Sequence, residues 1–197
     1  MCGIVGFVNE ETIENKNKNI KAMMDRIIHR GPNSSGQYVD DSVALGFRRL
    51  SIIDIEAGNQ PMYSPDGNVV LIFNGEIYNF LGLKEKLEEK GHTFLTHSDT
   101  EVLLHAYLEY GEKVVDHLRG MFGFAVWDKR EKKLFIARDH FGIKPVYYGR
   151  FGDTFMFASE IKAFLDNEKF VKELNKEALK PYLTFQYSVL KRQSLLL

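Results

Sequence analysis

The sequence predicts an α+β domain in which two antiparallel sheets pack against each other, with helices on the outside. Three features predict it. The opening "GIVGFV" is apolar, β-branched and glycine-bearing, which suits a buried strand close to the first residue. Apolar residues recur at helical spacing in three later stretches. From Phe122 to Phe157, strand-like runs follow one another with short connections, which favours antiparallel pairing over crossovers.

In chain order, Ile13 to His29 carries the stripe Ile20, Met23, Met24, Ile27 and Ile28, and reads as a helix. "HRGPNSSG" then breaks it with Gly31, Pro32 and Gly36. "VALGFRRLSIID" and "VVLIFNGEIYN" read as strands, joined by a turn-rich segment in which Asp66-Gly67 signals a hairpin. Phe80 to Lys90 reads as a helix on Leu83 and Leu87. The pair Lys84–Glu88 supports it, Glu85–Glu89 opposes it, and Gly91 is placed to end it. Asp99 to Tyr110 is a further helix, with Val102, Leu103, Ala106 and Tyr107 on one face and Gly111 after it. "FGFAVWD", "KLFIARD", "PVYYGR" and "TFMFAS" supply the closing strands. Neither repeat nor linker divides the chain.

Composition narrows the function. With 44% hydrophobic and 27% charged residues, the chain of 197 residues can bury a sizeable core. A formal net charge of -1 argues against nucleic acid and anionic membranes as partners. No apolar run approaches the roughly 20 residues that span a bilayer. A single cysteine forms no internal disulfide, so a cytoplasmic, reducing compartment is expected. Six histidines lack compact ligand spacing, and no metal is expected.

That cysteine is Cys2. An isolated thiol is ordinarily buried and inert. Position changes the reading, because trimming of a methionine before a small residue would leave a thiol and a free α-amine on one residue. Their reference pKa values are about 8.5 and 8, so near neutrality the amine takes the thiol proton and the nucleophile brings its own base. An amide substrate also needs donors for the oxyanion. Asn74 and Gly75, at the end of an apolar strand, offer a side-chain amide and a backbone N–H. A tight Asn-Gly turn explains the same dipeptide, and spacing alone does not choose.

The segments "MCGIVGF", "HRGPNSSG", "RRLSIID", "GNQP", "NGEIYN", "SDTEVLL", "LRGMFGFAVWD", "RDHFGIKPVYY" and "FASEIKA" run in order from Met1 to about Phe164. In them the chain resembles the glutaminase domain of class II, N-terminal-nucleophile glutamine amidotransferases, most closely that of the glutamine-hydrolysing asparagine synthetase family. The resemblance implies a four-layer αββα sandwich, the N-terminal nucleophile hydrolase fold, over residues 1–185. It also implies hydrolysis of L-glutamine to L-glutamate and ammonia through a thioester on Cys2. Asn74 and Gly75 would form the oxyanion hole. Arg49, with Leu50, Ser51, Ile52 and Ile53, would hold the α-carboxylate, and Asp99 with Glu76 the α-ammonium. Opposite charges at the two ends of a small zwitterion fix its register.

Simpler readings accompany these roles. Arg48 and Arg49 point to opposite faces of a strand, so one is expected to be a solvated surface residue. Asp99 sits where a helix cap would. His29 and Arg30 read as part of a loop over the site, and "RDHFGIKPVYY" and "FASE" as plain core, while the resemblance implies that this region borders the partner domain. Two positions depart from the family pattern: Asn33 where Asp is common, and Phe47 where His is common before the arginine pair.

Relatives join this domain to a synthetase domain in cis that uses ATP and Mg to make asparagine from aspartate. No "SGGxDS" phosphate loop occurs here, and residues 186–197 read as a truncated linker or tail. The resemblance implies no cofactor for the glutaminase half itself, and it leaves a homodimer open. Two other classes stay open: a glutamine- or partner-binding module without turnover, and an N-terminal-nucleophile amidase acting on another amide.

Overall fold

The protein is described by a computed structural model covering residues 1–50, 59–167, 170 and 172–186. The first strand, β1 (Gly3–Val8), leads into helix α1 (Ile13–Arg26). Thr12 caps α1 by accepting from the N–H of Asn15, and Ile20, Met23 and Met24 form its buried face. The helix stops three residues earlier than the stripe predicts. Ile28–Arg30 form a 3-10 turn instead. Beyond the glycine and proline comes an unforeseen strand, β2 (Ser34–Val39). Its sequence, SSGQYV, is half exposed and lacks the apolar alternation that signals a strand.

Strand β3 (Val43–Arg49) pairs antiparallel with both β2 and β1. The short β4 (Met62–Tyr63) and the long β5 (Val69–Ile77) form the expected hairpin, with Gly67 at φ 70 in its turn. Helices α2 (Phe80–Glu88) and α3 (Asp99–Tyr110) follow, then β6 (Gly120–Asp128), β7 (Lys133–Arg138), β8 (Tyr147–Phe151) and β9 (Thr154–Ala158). A last helix, α4 (Lys176–Phe185), was not legible from "KEALKPYLTF", where Pro181 interrupts the pattern. The expected tail at 187–197 lies outside the described residues.

One sheet has the order β2-β3-β1-β9-β8 and the other β4-β5-β6-β7, all neighbours antiparallel. Alternation along each strand gives the layers. Val5, Phe7 and Ala44 face Ile20, Met23, Met24 and Ile27 at α1. Leu71, Phe73 and Phe124 face Leu83, Leu87 and Leu103 on α2 and α3. Between the sheets Ile4, Val43, Leu45, Phe47, Val70, Ile72 and Phe157 form a third core. The order is helix, sheet, sheet, helix, which is the expected four-layer αββα sandwich. Phe47 belongs to this middle core, where burying such a ring contributes about 1.5–3 kcal/mol. Among the described residues no helix is long and apolar enough to cross a membrane.

Candidate active site

The middle layer ends at Cys2. Its side chain lies on the face of β1 that carries Ile4, and it packs against the inter-sheet core. The ladder from Gly3 opposite Arg48 brings Cys2 beside the end of β3. There the N–H of Leu50 lies 3.5 Å from Sγ, and the thiol is 3.9 Å from the Leu50 carbonyl oxygen. Met1 is exposed and its sulfur lies 3.3 Å from Nζ of Lys144, which is itself buried. With Met1 attached, the Cys2 nitrogen is a peptide amide and has no basic lone pair.

Asn74 and Gly75 do not form a turn. Both lie inside β5, opposite Gly123 and Phe122 of β6, which removes the tight-turn reading. Asn74 shares its face of β5 with Val70 and Ile72, so it points into the inter-sheet layer that Cys2 borders. It is 3% exposed, and its Nδ2 has no hydrogen-bond partner among the described residues. A buried donor left unpaired costs about 1–3 kcal/mol, so its retention needs an explanation. Gly75 is required for a second reason: a Cβ there would fall on the Met121 carbonyl and the Phe122 backbone.

Arg49 lies on the face of β3 that carries Phe47 and is buried, with Nη1 3.4 Å from Oδ1 of Asn59. Its neighbour departs from expectation. Arg48 is not solvated: its Nε donates to the Met24 carbonyl at 3.1 Å and its Nη2 pairs with Asp25, so it ties β3 to the last turn of α1. Ser51, Ile52 and Ile53 lie outside the described residues.

Asp99 opens α3, but Ser98 is the cap, with Oγ accepting from the N–H of Glu101 at 3.2 Å. Relieved of capping, the Asp99 carboxylate reaches across to accept from the N–H of Ile77 at 3.0 Å. Burial pushes its pKa up. Backbone N–H groups of Ile77 and Thr100 oppose this, the nearby Glu76 charge adds to it, and the net direction is upward. Glu76 is exposed on β5, one residue before Ile77. The structure thus brings Asp99 and Glu76 together at the end of β5, with Asn74 and Gly75 immediately before them.

Several supporting residues take roles that the sequence reading did not give them. Oε1 of Gln60 accepts from the Phe73 N–H at 2.6 Å and its Nε2 donates to the Phe73 carbonyl at 3.1 Å, one position before Asn74. Arg30 donates from Nε to the Cys2 carbonyl at 3.0 Å, while its Nη2 is buried without a partner among the described residues. Arg30 is therefore a strut against the Cys2 backbone rather than part of an overlying loop. "RDHFGIKPVYY" is not plain core either, because Phe141 and Tyr148 are exposed. Its centre is the buried Asp139, which accepts from the N–H groups of Phe122, Phe141, Ile143 and Lys144. Burial alone would raise the Asp139 pKa, but these four donors outweigh it and the net direction is downward. The quoted segments contained all these residues, but Gln60 and Arg30 find their partners on other elements, and Asp139 is held by backbone N–H groups that residue type does not show. Among the described residues no group of three or more His, Cys, Asp and Glu side chains is placed to hold a metal.

Comparison with known proteins agrees with this architecture. The family model described as "Glutamine amidotransferase domain" matches residues 1–196. The chain is 48% identical over 190 residues to asparagine synthetase (glutamine-hydrolyzing) 1 of Bacillus subtilis, covering 95% of this chain and 30% of that protein. It is 44% identical over 174 residues to the asparagine synthetase (glutamine-hydrolyzing) of Zea mays, covering 87% of this chain and 29% of that one. The chain thus spans about 30% of the length of these relatives. Among solved structures, glutamine phosphoribosylpyrophosphate amidotransferase from B. subtilis, in complex with ADP and GMP, superposes with a TM-score of 0.69. That match is 25% identical and covers 83% of this chain and 43% of that chain.

Proposed function

The chain belongs to the glutamine amidotransferase domain family, and from that premise we propose that, with Met1 removed, it hydrolyses L-glutamine through Cys2. The α-amine of Cys2 takes the thiol proton, and Sγ attacks the side-chain carboxamide carbon of glutamine. Nδ2 of Asn74 and the Gly75 N–H donate to the oxygen as it becomes an oxyanion. The tetrahedral intermediate collapses with the C–N bond breaking, the proton passing to nitrogen, and ammonia leaving. Water then cleaves the γ-glutamyl thioester, releasing glutamate and restoring the thiol.

Arg49 and the Leu50 to Ile53 segment take the α-carboxylate in this reading, and Asp99 with Glu76 takes the α-ammonium. The observation that carries the proposal is the buried Nδ2 of Asn74, without a partner among the described residues, in the same inter-sheet layer as the thiol. An oxyanion is the acceptor that would satisfy it. The synthetase relatives suggest that the ammonia serves ATP-dependent formation of asparagine from aspartate, with ATP and Mg held by a separate synthetase domain in cis. The glutaminase step itself needs no cofactor.

The test combines a glutamate-release assay with intact mass. Wild-type protein should lack Met1, release glutamate and ammonia together, and take up one equivalent of a γ-glutamyl electrophile on Cys2. Ammonia release by Cys2→Ala would overturn the assignment. A protein that binds glutamine without turnover, or that hydrolyses other amides but not glutamine, would replace it with one of the two other classes.

A further inference from the structure

The dipeptide Ser159–Glu160, just after β9, has no role in the chemistry above, yet Ser159 bonds directly to the segment that carries Cys2 and Glu160 reaches it through Arg30. Ser159 is fully buried. Its Oγ accepts from the Ile4 N–H at 3.0 Å, and its own N–H donates to the Ile4 carbonyl at 2.8 Å. The start of β1 is thereby locked to the end of β9.

Glu160 acts one residue further out. Its Oε1 accepts from Nη1 of Arg30 at 3.0 Å and lies 2.9 Å from Nε2 of His29, and its Oε2 lies 3.2 Å from Nζ of Lys162. The Arg30 side chain is only 9% exposed and donates from Nε to the Cys2 carbonyl. Its stem runs beside Gly3, where an added Cβ would sit 3.4 Å from the Arg30 Cδ.

A guanidinium is a rigid planar fork, so fixing one N–H direction fixes the others. A buried cation held only by a neutral carbonyl is poorly compensated, and it turns toward water when its counter-charge is lost. Glu160 supplies that counter-charge on the arm opposite the Cys2 carbonyl.

We infer that Glu160 is a positioning residue for the nucleophile, acting through Arg30 on the backbone carbonyl of Cys2. The inference rests on the glutaminase reading of Cys2. Glu160 touches neither the thiol nor any atom proposed to react. Its effect is to hold the attack geometry, and a displacement of about 1 Å at a reacting group costs up to roughly 10²-fold in rate.

The experiment is a double-mutant cycle of Glu160→Gln and Arg30→Gln in the Met1-processed chain, with glutamine kinetics and thermal melting for each variant. Glu160→Gln should lower kcat about tenfold with KM changed less than threefold, and Glu160→Asp, which keeps the charge, should recover part of the loss. In the Arg30→Gln background, Glu160→Gln should add less than twofold. A Glu160→Gln kcat within twofold of wild type, or losses that multiply across the two sites, would overturn the inference. If Glu160→Gln does not fold, Glu160→Ala completes the cycle under the same criteria, with Glu160→Asp kept as the charge-retaining control. Cys2-dependent turnover that Glu160 variants leave unimpaired removes this inference alone, whereas ammonia release by Cys2→Ala removes the reading beneath it.

Discussion

Gln60 and Phe73 exchange two hydrogen bonds, the Gln60 carboxamide accepting from the Phe73 N–H and donating to its carbonyl. A side chain thus does the work of a strand backbone where the β4 ladder has ended. The next residue of β5 is Asn74. Gln60→Ala leaves both Phe73 groups unpaired and should cost about 1–3 kcal/mol of stability. Because the slack falls beside the proposed oxyanion donor, kcat should also drop about tenfold, measurable by glutamate release alongside chemical denaturation.

Asn74→Ala removes a donor that has no other partner among the described residues. Turnover should fall on the order of 10²–10³-fold, as for oxyanion donors elsewhere. Alkylation of Cys2 by a small electrophile that needs no oxyanion hole should continue at the wild-type rate. A loss below tenfold would remove the role.

Asp99 is held in its protonated form more readily in the folded chain than in the unfolded one. Folding therefore takes up a proton, and the ionised carboxylate weighs against stability as pH rises past the ordinary aspartate value of about 4. Asp99→Asn should raise the Tm at pH 7 while keeping an acceptor for the Ile77 N–H, and should abolish saturation by glutamine. In the wild type, KM should fall as pH rises through the range just above the ordinary aspartate value, where the carboxylate forms and the α-ammonium gains its partner.

Asp139 has the opposite sign. Its folded pKa lies below the unfolded value, so its contribution is complete above about pH 4 and is lost as pH falls through the folded value. Asp139→Asn keeps the shape but loses the charge that four N–H groups share. A loss of about 2–4 kcal/mol is expected at pH 7, with a shallower acid transition than the wild type, read by denaturation across pH.

The sandwich was legible because its strands carry short apolar, β-branched runs bounded by turn chemistry, as Val69 to Phe73 and the Asp66-Gly67 turn before it do. Strand β2 was not, since Ser34, Ser35, Gly36 and Gln37 pair through their backbones and bury little. Cys2, Asn74 and Asp99 were recognisable by residue type within a family pattern. The roles of Arg30, Gln60 and Glu160 were not, because each is defined by a partner on another stretch of chain. That of Asp139 was not, because its donors are backbone N–H groups, three of them within five residues, and residue type does not reveal them. Arg48 shows the same limit: alternation placed it correctly on the face opposite Arg49, but only the packed helix reveals that this face is covered.

The bond between Ile4 and Ser159 joins residues 155 apart in the chain. During synthesis from the N-terminus, β1 leaves the ribosome long before β9 exists. Its pairing with β3 can form early, but the second edge of β1 stays open until residues 154–159 arrive. Closing so long a loop is entropically slow and comes late in folding. Reactivity of Cys2 toward a glutamine analogue would therefore count molecules whose last strand has docked, separating finished protein from chains that have merely collapsed.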